Sequence, residues 1–286
     1  MTIDLTETTT GAIARALQQA RQRLGGPASG MVLTLVIVTD ETSQYDAVRA
    51  ANEAAREHPC RVLVVITRRP TAASRLDAEI RVGETSPGET LLLRMYGPLG
   101  QHADSVVAPL LLPDTPVVTW WPGDPPKVPA TDPIGVLSQR RITDAAAVDE
   151  PRECLTALAA SYQPGDTDLS WTRATPWRSL LAATLDQPHG TLQSATVRAE
   201  QGNPSADLIA VWLASRLQIP VVNEVSPGPG ITEVSFATSE GVISVTRPDG
   251  RVALHRRDAP ELLSEELRRL DPDEMYAESL SLLGPV

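Results

Sequence analysis

Two aspartates separated by a single residue, Asp166 and Asp168, are the side chains of this sequence best suited to catalysis. An Asp-x-Asp pair in a loop can hold a divalent cation that bridges phosphate oxygens, as in enzymes that transfer nucleotide sugars. The pattern is also short and common, and either aspartate can instead cap the turn that follows it. The sequence therefore leaves open a metal-dependent sugar-phosphate or nucleotide-sugar enzyme that uses these two carboxylates.

Other common catalytic patterns are absent from the sequence. The only lysine, Lys127, follows a proline and lacks the glycine-flanked loop that binds phosphate, and no GxGxxG, GxSxG, HExxH or CxxC occurs. The four histidines are not spaced as metal ligands, and His58, which precedes Pro59, is placed to interact with carbonyls at the end of a helix. We therefore expect a protein without catalytic residues, bound metal or cofactor.

Trp120 and Trp121 are adjacent on a predicted strand. Neighbouring side chains on a strand point to opposite faces of the sheet, so one buried surface cannot hold both indole rings. Helices on both faces would cover the two rings. The alternative is that a partner or ligand covers one ring at the carboxyl end of the strand.

Two further tryptophans, Trp171 and Trp177, lie close in sequence to Arg173 and Arg178 and directly follow the aspartate pair. Arginine can stack on tryptophan and pair with carboxylates in the seam between two domains. Tryptophan and arginine are also the usual anchors of an exposed contact surface. Both interpretations remain open from the sequence.

The composition excludes several classes of protein. A formal net charge of -11 and a pI near 4.9 argue against binding a nucleic-acid backbone, which requires clustered Lys and Arg. The most apolar segment, residues 106–121, is interrupted by prolines, and residues 1–10 lack the basic and apolar regions of a signal peptide. Cys60 and Cys154 form no disulfide framework or metal site, so we expect two reduced, buried thiols. We therefore predict a cytoplasmic protein that binds neither nucleic acid nor membrane.

Hydrophobic periodicity predicts an α/β N-terminal domain over residues 1–165, with a mixed, mainly parallel sheet flanked by helices. Buried strands over residues 31–38 and 61–67, joined by a helix that begins near Ser43, form a right-handed parallel βαβ unit. Asp46, three residues after Ser43, suggests a cap at the start of this helix. The other predicted helices cover residues 10–24, 103–112, 133–139 and 151–162, and the other strands cover residues 76–82, 89–96 and 115–121.

Residues 166–286 are predicted to form a smaller α+β domain, and a helix in the region 168–187 links it to the first. An antiparallel meander and two closing helices complete this domain. The predicted strands cover residues 193–199, 221–225, 231–237, 242–247 and 251–255, and the predicted helices cover residues 204–217, 260–270 and 272–283.

Four segments carry a resemblance to a known family: LPDTPVVTWWP at residues 112–122, RRITD at 140–144, GDTDLSWTR at 165–173 and LRRLDPDEMY at 267–276. Together they resemble the actinobacterial branch of the OpcA family of glucose-6-phosphate dehydrogenase assembly proteins, from about Thr8 to Leu283. One departure is Cys60, where the relatives carry serine. The similar size of the two side chains implies unchanged packing, and a redox role for Cys60 and Cys154 is not carried over.

The resemblance implies a non-catalytic partner that binds glucose-6-phosphate dehydrogenase and favours its active oligomer. Such an allosteric activator would support NADPH production in the oxidative pentose phosphate pathway. A third possibility is a sensor that binds a sugar phosphate through Arg61, Arg140 or Arg141, and self-association remains open. The candidate partner-binding residues are Trp120, Trp121, Asp166, Asp168, Trp171, Arg173, Trp177 and Arg178, with His58, Arg61, Arg140 and Arg141 as secondary candidates.

Overall fold

The computed structural model of the protein describes residues 1–24, 30–68, 71–83, 88–247 and 257–283. Two compact units make up the chain. Unit 1 comprises Met1–Thr143 and Ala259–Pro272, and unit 2 comprises Asp144–Asp258 and Asp273–Val286. The domain boundary near residue 165 stays a prediction. Within the described ranges, no helix is both long enough and apolar enough to cross a bilayer.

Twelve strands and nine α-helices lie within the described residues. The strands are β1 (Thr2–Leu5), β2 (Leu33–Thr39), β3 (Cys60–Arg68), β4 (Arg75–Val82), β5 (Glu89–Tyr96), β6 (Val117–Trp120), β7 (Arg140–Thr143), β8 (Asp166–Asp168), β9 (Leu192–Ala199), β10 (Val221–Val225), β11 (Ile231–Thr238) and β12 (Gly241–Thr246). The helices are α1 (Thr10–Leu24), α2 (Gln44–Ala54), α3 (Ala103–Val107), α4 (Pro151–Ser161), α5 (Leu169–Arg173), α6 (Thr175–Leu185), α7 (Pro204–Leu217), α8 (Ala259–Leu267) and α9 (Glu274–Ser281).

The sheet of unit 1 confirms the predicted α/β architecture. Its strands lie in the order β1-β4-β5-β3-β2-β6-β7, and β5, β3, β2, β6 and β7 are mutually parallel. β1 and β4 extend the sheet in antiparallel fashion beyond β5. The predicted βαβ unit is present, with Leu33 of β2 opposite Cys60 of β3. These two strands are long apolar runs because both of their faces are buried.

Helices cover the two faces of this sheet unequally. One face packs against α1, whose Ile13, Leu17 and Ala20 share a core with alternate residues of β3, β4 and β5. α2 contacts β2 and β3 with its alanine-rich stripe and contributes nothing to that core, so it covers the opposite face at the centre of the sheet. β4 alternates between buried and half-buried side chains. That alternation indicates a strand with one covered face and one open face.

Several local predictions for unit 1 were wrong. β1 and β7 were not expected, and the predicted helix over 103–112 is α3 between two 3-10 turns, because Pro109 has no N–H with which to continue an α-helix. The region 133–139 holds only a 3-10 turn over Gly135–Leu137. Ser43 occupies the N-cap position of α2 without a capping side-chain bond. Instead, Asp40 Oδ1 accepts the N–H groups of Thr42 and Ser43, each at 2.7 Å.

Unit 2 is built around a four-stranded sheet in the order β10-β9-β11-β12. β10 lies parallel to β9, and α7 connects them as a second βαβ unit, while β11 and β12 form an antiparallel hairpin. Val197, Val234 and Phe236 form the core of the sheet with Trp177 of α6 and Leu213 of α7. The predicted strand over residues 251–255 lies outside the described residues. Both closing helices are present, α8 within unit 1 and α9 within unit 2.

The two cysteines have different environments. Cys60 is fully buried at the start of β3, and burial raises the pKa of its thiol to about 12, whereas Cys154 on α4 is half-buried. Since the thiolate is the reactive form, Cys60 should stay unreactive between pH 7 and 9 while the protein is folded. We expect maleimide or iodoacetamide labelling followed by peptide mapping to modify Cys154 well before Cys60, and to modify both in denaturant. Equal rates in the folded protein would contradict this assignment.

Candidate partner-binding surface

The aspartate pair serves as an internal hydrogen-bond acceptor. Asp168, fully buried, accepts the N–H of Ser170 through Oδ1 and the N–H of Ala145 through Oδ2, each at 2.8 Å, and so caps α5. Asp166 Oδ2 accepts the N–H of Gln163 at 2.8 Å. Within the described residues, no group of three or more His, Cys, Asp or Glu side chains is arranged to hold a metal ion.

Next to this pair lies an ion pair between the half-buried Arg173 and the buried Asp144. The guanidinium donates from Nη1 to Oδ1 and from Nη2 to Oδ2, each at 2.6 Å, in the bidentate geometry typical of strong arginine–carboxylate contacts. Burial acts to lower the pKa of Arg173, but the hydrogen bonds and charge of Asp144 outweigh it and raise that pKa, with Asp168 adding to the effect. The arginine therefore remains charged at any physiological pH.

Trp171 lies at the centre of an aromatic cluster within unit 2. The guanidinium carbon of Arg178 lies 3.5 Å from the centre of its ring, the ring of Tyr276 lies 5.9 Å away, and the indole N–H donates to Asp273 Oδ2 at 2.9 Å. Trp177 packs instead into the core of the four-stranded sheet. The predicted aromatic–guanidinium cluster thus exists, but both indole rings are buried.

Trp120 and Trp121 in unit 1 are also buried, with exposed fractions of 2% and 3%. Both neighbouring rings are therefore covered within this chain. A protein contact through any of the four tryptophans would first require a local opening of the structure. Their role in partner binding stays a prediction.

The three secondary arginine candidates are buried and bonded within unit 1. Arg61 forms an ion pair with Glu89 at 3.0 Å and donates to the carbonyl of Leu110 at 2.5 Å. Burial lowers the pKa of Arg61, although the charge of Glu89 opposes that shift. Arg140 pairs with Glu266, 126 residues away, and Arg141 donates to the carbonyl of Ser138 at 2.9 Å. His58 is half-buried at the end of the segment that follows α2.

An exposed groove of about 500 Å³ lies on unit 1 where α2 leaves β4 and β5 uncovered. Tyr45 on α2 contributes the most exposed large apolar side chain of the described residues, at 77%. All aromatic residues of the chain are described, and Tyr45 alone is exposed. The groove is lined by Glu41, Gln44, Tyr45, Val48, Arg49, Asn52, Glu53, Arg56, Arg81, Leu92 and Arg94.

The groove combines a rim of mixed charge with a small apolar floor. Four of its described lining residues are arginines and two are glutamates, but Arg49 pairs with Asp46, and Arg81 and Arg94 both pair with Glu79. Leu92 and Val48 contribute apolar surface beside the exposed Tyr45 ring. Tyrosine and arginine are typical anchors of protein–protein interfaces. This groove, the α2 groove, is therefore the best candidate for a partner-binding surface.

Sequence reasoning missed the α2 groove. One signal was available, because Tyr45 lies off the apolar stripe formed by Ala47, Val48, Ala51 and Ala54 and so had to face away from the core. The arginines of β4 and β5 gave no such signal, since their position beside α2 depends on strand order.

Family models match two consecutive parts of the chain. Residues 51–160 match the model described as glucose-6-phosphate dehydrogenase subunit N-terminal domain, and residues 164–280 match the corresponding C-terminal domain, both of the OpcA type. The chain belongs to the OpcA family. This confirms the family that the sequence motifs suggested, whereas the actinobacterial branch stays a prediction.

One curated relative of this OpcA family member is the OxPP cycle protein OpcA of Synechocystis sp., which is 28% identical over 204 residues. The match covers 64% of this chain and 42% of the relative, so the chain spans less than half the length of that protein. No solved structure matches the chain.

The ion pairs that Glu89 forms with Arg61 and Arg21 lead to a stability prediction. Glu89 accepts hydrogen bonds from both Arg61 and Arg21, so Glu89→Gln would leave a buried guanidinium without its counter-charge. Removing one partner of a buried pair typically costs about 3–5 kcal/mol of unfolding free energy. We expect a loss of that order in urea unfolding followed by circular dichroism.

The matched control is Glu278→Gln, which removes the partner of Arg216 in a half-exposed pair. Exposed pairs contribute at most about 1 kcal/mol, so this variant should unfold nearly as the parent does. Similar losses in the two variants would show that burial of the Arg61 pair is unimportant for stability.

Proposed function

We propose that this OpcA family member is a non-catalytic assembly factor that binds glucose-6-phosphate dehydrogenase in the cytoplasm and favours its active oligomer. In this role it supports NADPH production by the oxidative pentose phosphate pathway. The observation that carries the proposal is the match of both OpcA domain models, in order, over most of the chain. The name of the Synechocystis relative, an OxPP cycle protein, supports the same pathway.

The proposed mechanism is thermodynamic. A protein that binds the competent oligomer more tightly than the inactive form shifts the population by the ratio of its two affinities. A shift from 1:99 to 99:1 requires a ratio of about 10⁴. No covalent chemistry is needed, and none of the proposed steps uses Asp166 or Asp168 as a catalyst.

We propose the α2 groove as the first contact with the dehydrogenase. Tyr45 supplies an exposed aromatic anchor on α2, and Arg56, in the turn that follows α2, lines the same groove. These features suit a partner segment that places an apolar side chain against Tyr45 and a carboxylate beside Arg56, since complementary charge both steers association and fixes register. The buried tryptophans would then support the fold of the two units, and their direct participation stays a proposal.

The function is tested by mixing the purified protein with the glucose-6-phosphate dehydrogenase encoded in the same genome. We expect co-elution in size-exclusion chromatography with light scattering, a shift of the dehydrogenase to a larger oligomer, and higher NADPH production per dehydrogenase subunit. The activity of the protein alone on glucose 6-phosphate is the blank. An unchanged mass distribution of the dehydrogenase together with unchanged dehydrogenase activity would contradict the proposal.

The groove is tested separately with Tyr45→Ala. Truncating an interface anchor costs about 2 kcal/mol or more, so the dissociation constant for the dehydrogenase should rise by about 30-fold. The matched control is Val136→Ala, which truncates a side chain that is 67% exposed and lies outside the groove. Biolayer interferometry with immobilised dehydrogenase would measure both. An unchanged affinity of Tyr45→Ala would contradict the groove as the contact surface, but it would not contradict the proposed assembly function.

A further inference from the structure

Strand β10 lies at one edge of the four-stranded sheet of unit 2. β9 pairs with one side of β10, and no strand of the described residues pairs with the other side. Three of its five residues are valines, and Val222 and Val225 are 53% and 74% exposed. Neither the family match nor the candidate residues drawn from the sequence assign a role to this outer side of β10, which we call the β10 edge.

Every second residue of β10 directs its backbone polar groups away from β9. The N–H of Ala195 donates to the carbonyl of Pro220 at 2.9 Å, and the N–H of Ser226 donates to the carbonyl of Ala199 at 2.7 Å. Between these two bonds, residues that bond to the neighbouring strand alternate with residues that do not, as in any parallel ladder. The residues that face outward are Val221, Asn223 and Val225. Within the described part of the chain, their N–H and C=O groups have no partner.

β10 lacks most of the features that keep a strand edge from pairing with another chain. Exposed edges are commonly protected by lysine, by other charges, by proline or by a bulge. β10 pairs with β9 in a regular register over all five residues and contains neither lysine nor proline. Its one charged residue, Glu224, pairs with Arg198 of β9, which also pairs with Glu233 of β11. The edge is therefore open to backbone pairing, and Glu224 is the only electrostatic restraint that β10 carries.

The sequence of β10 is complementary to itself in an antiparallel arrangement. With a two-fold axis at Asn223, Val221 of one copy lies opposite Val225 of the other, and the two Asn223 residues lie opposite each other. All the outward-facing residues then form pairs that exchange backbone hydrogen bonds, about six bonds in all. Glu224 lies opposite Val222 in this register, so like charges do not face each other directly.

The side chain of Asn223 suits a position on this axis. Its Nδ2 donates to Asp207 Oδ1 at 2.7 Å, which fixes the orientation of the carboxamide. A carboxamide has two N–H donors and one acceptor oxygen. The second donor and the oxygen of Asn223 have no partner within the described residues. Two Asn223 side chains can therefore bond to each other reciprocally across the axis.

We propose that the β10 edge binds the same edge of a second copy of this chain, so that two four-stranded sheets continue across a two-fold axis. Strand addition of this kind draws its affinity from main-chain hydrogen bonds and its specificity from the side chains that meet. A second copy supplies both, because the contact needs β10 alone and a two-fold contact closes after two copies. The proposal does not depend on dehydrogenase binding.

Analytical ultracentrifugation of the full chain over a range of concentrations tests the proposal. We expect the mass to rise from 30.7 kDa towards twice that value, with a dissociation constant on the order of 10 μM, as for a small interface. A mass that stays at 30.7 kDa up to about 500 μM would overturn the proposal. If Val225→Lys then weakened binding to the dehydrogenase, the β10 edge would be a contact for that enzyme and not for a second copy.

Two variants at one position test the contact. Val225→Pro removes an outward-facing N–H and leaves the bonds to β9 in place, since proline is tolerated where the N–H of an edge strand faces solvent. Val225→Lys keeps the backbone but places a charge opposite Val221. Each variant should raise the dissociation constant of the dimer about tenfold or more.

The matched control is Val242→Lys, which changes a side chain of the same exposure, 73%, on β12 of the same sheet. This variant should associate as the parent does, and circular dichroism checks that each variant is folded. An equal loss of association in Val242→Lys, or unchanged association of both folded Val225 variants, would contradict pairing through β10.

Hydrogen exchange followed by mass spectrometry locates the contact without any substitution. The outward-facing amides of β10 should exchange more slowly at a protein concentration above the dissociation constant than below it, because pairing protects them from solvent. Peptides that cover β12 should exchange equally at both concentrations. Protection that appears on association in other segments but not in β10 would overturn the proposal.

Discussion

Burial of arginine is the constraint on which most of this structure depends. A guanidinium cannot lose its proton at physiological pH, so each buried one needs a carboxylate and further acceptors to offset its lost hydration. Among the described residues, two buried pairs and one half-buried pair illustrate this, and in one of them the partners are 126 residues apart. The three pairs are Arg61 with Glu89, Arg140 with Glu266 and Arg173 with Asp144. These pairs fix which segments of each unit lie together, and the apolar cores fill the space around them.

The same constraint explains what the sequence could and could not predict about the fold. The bounds of α1, α7 and β10 were predicted to the residue, because their apolar periodicity and their flanking turn residues are local signals. β7 was missed because two of its four residues are arginines and its segment reads as polar. Glu266, contributed by α8, supplies the counter-charge for the buried Arg140, and a window along the sequence cannot include both residues. β1 was missed because four residues at the margin of a sheet carry too little periodicity.

The candidate surface was predictable only in part for a related reason. Clustered tryptophans indicate apolar rings that must be buried. The sequence does not show whether residues of the same chain or of a partner bury them. In this protein Trp120, Trp121, Trp171 and Trp177 are covered by their own chain. The exposure of Tyr45 follows from its position off the buried apolar stripe of α2. The groove beside it exists because α2 covers only the centre of the sheet and leaves β4 and β5 open. Strand order is a tertiary property, so the groove had to be read from the structure.

The hydrogen-bond partners of an arginine show whether it has a structural role in this protein or is available to bind an anion. Arg61 and Arg140 contact both a carboxylate and a carbonyl, and an incoming anion would have to displace a bonded carboxylate from a dry interior. Arg247 is half-buried and is positioned by a carbonyl, which restrains the side chain without cancelling its charge. By this criterion the sugar-phosphate recognition that the sequence suggested for Arg61, Arg140 and Arg141 would first require the loss of internal bonds that hold these side chains in unit 1.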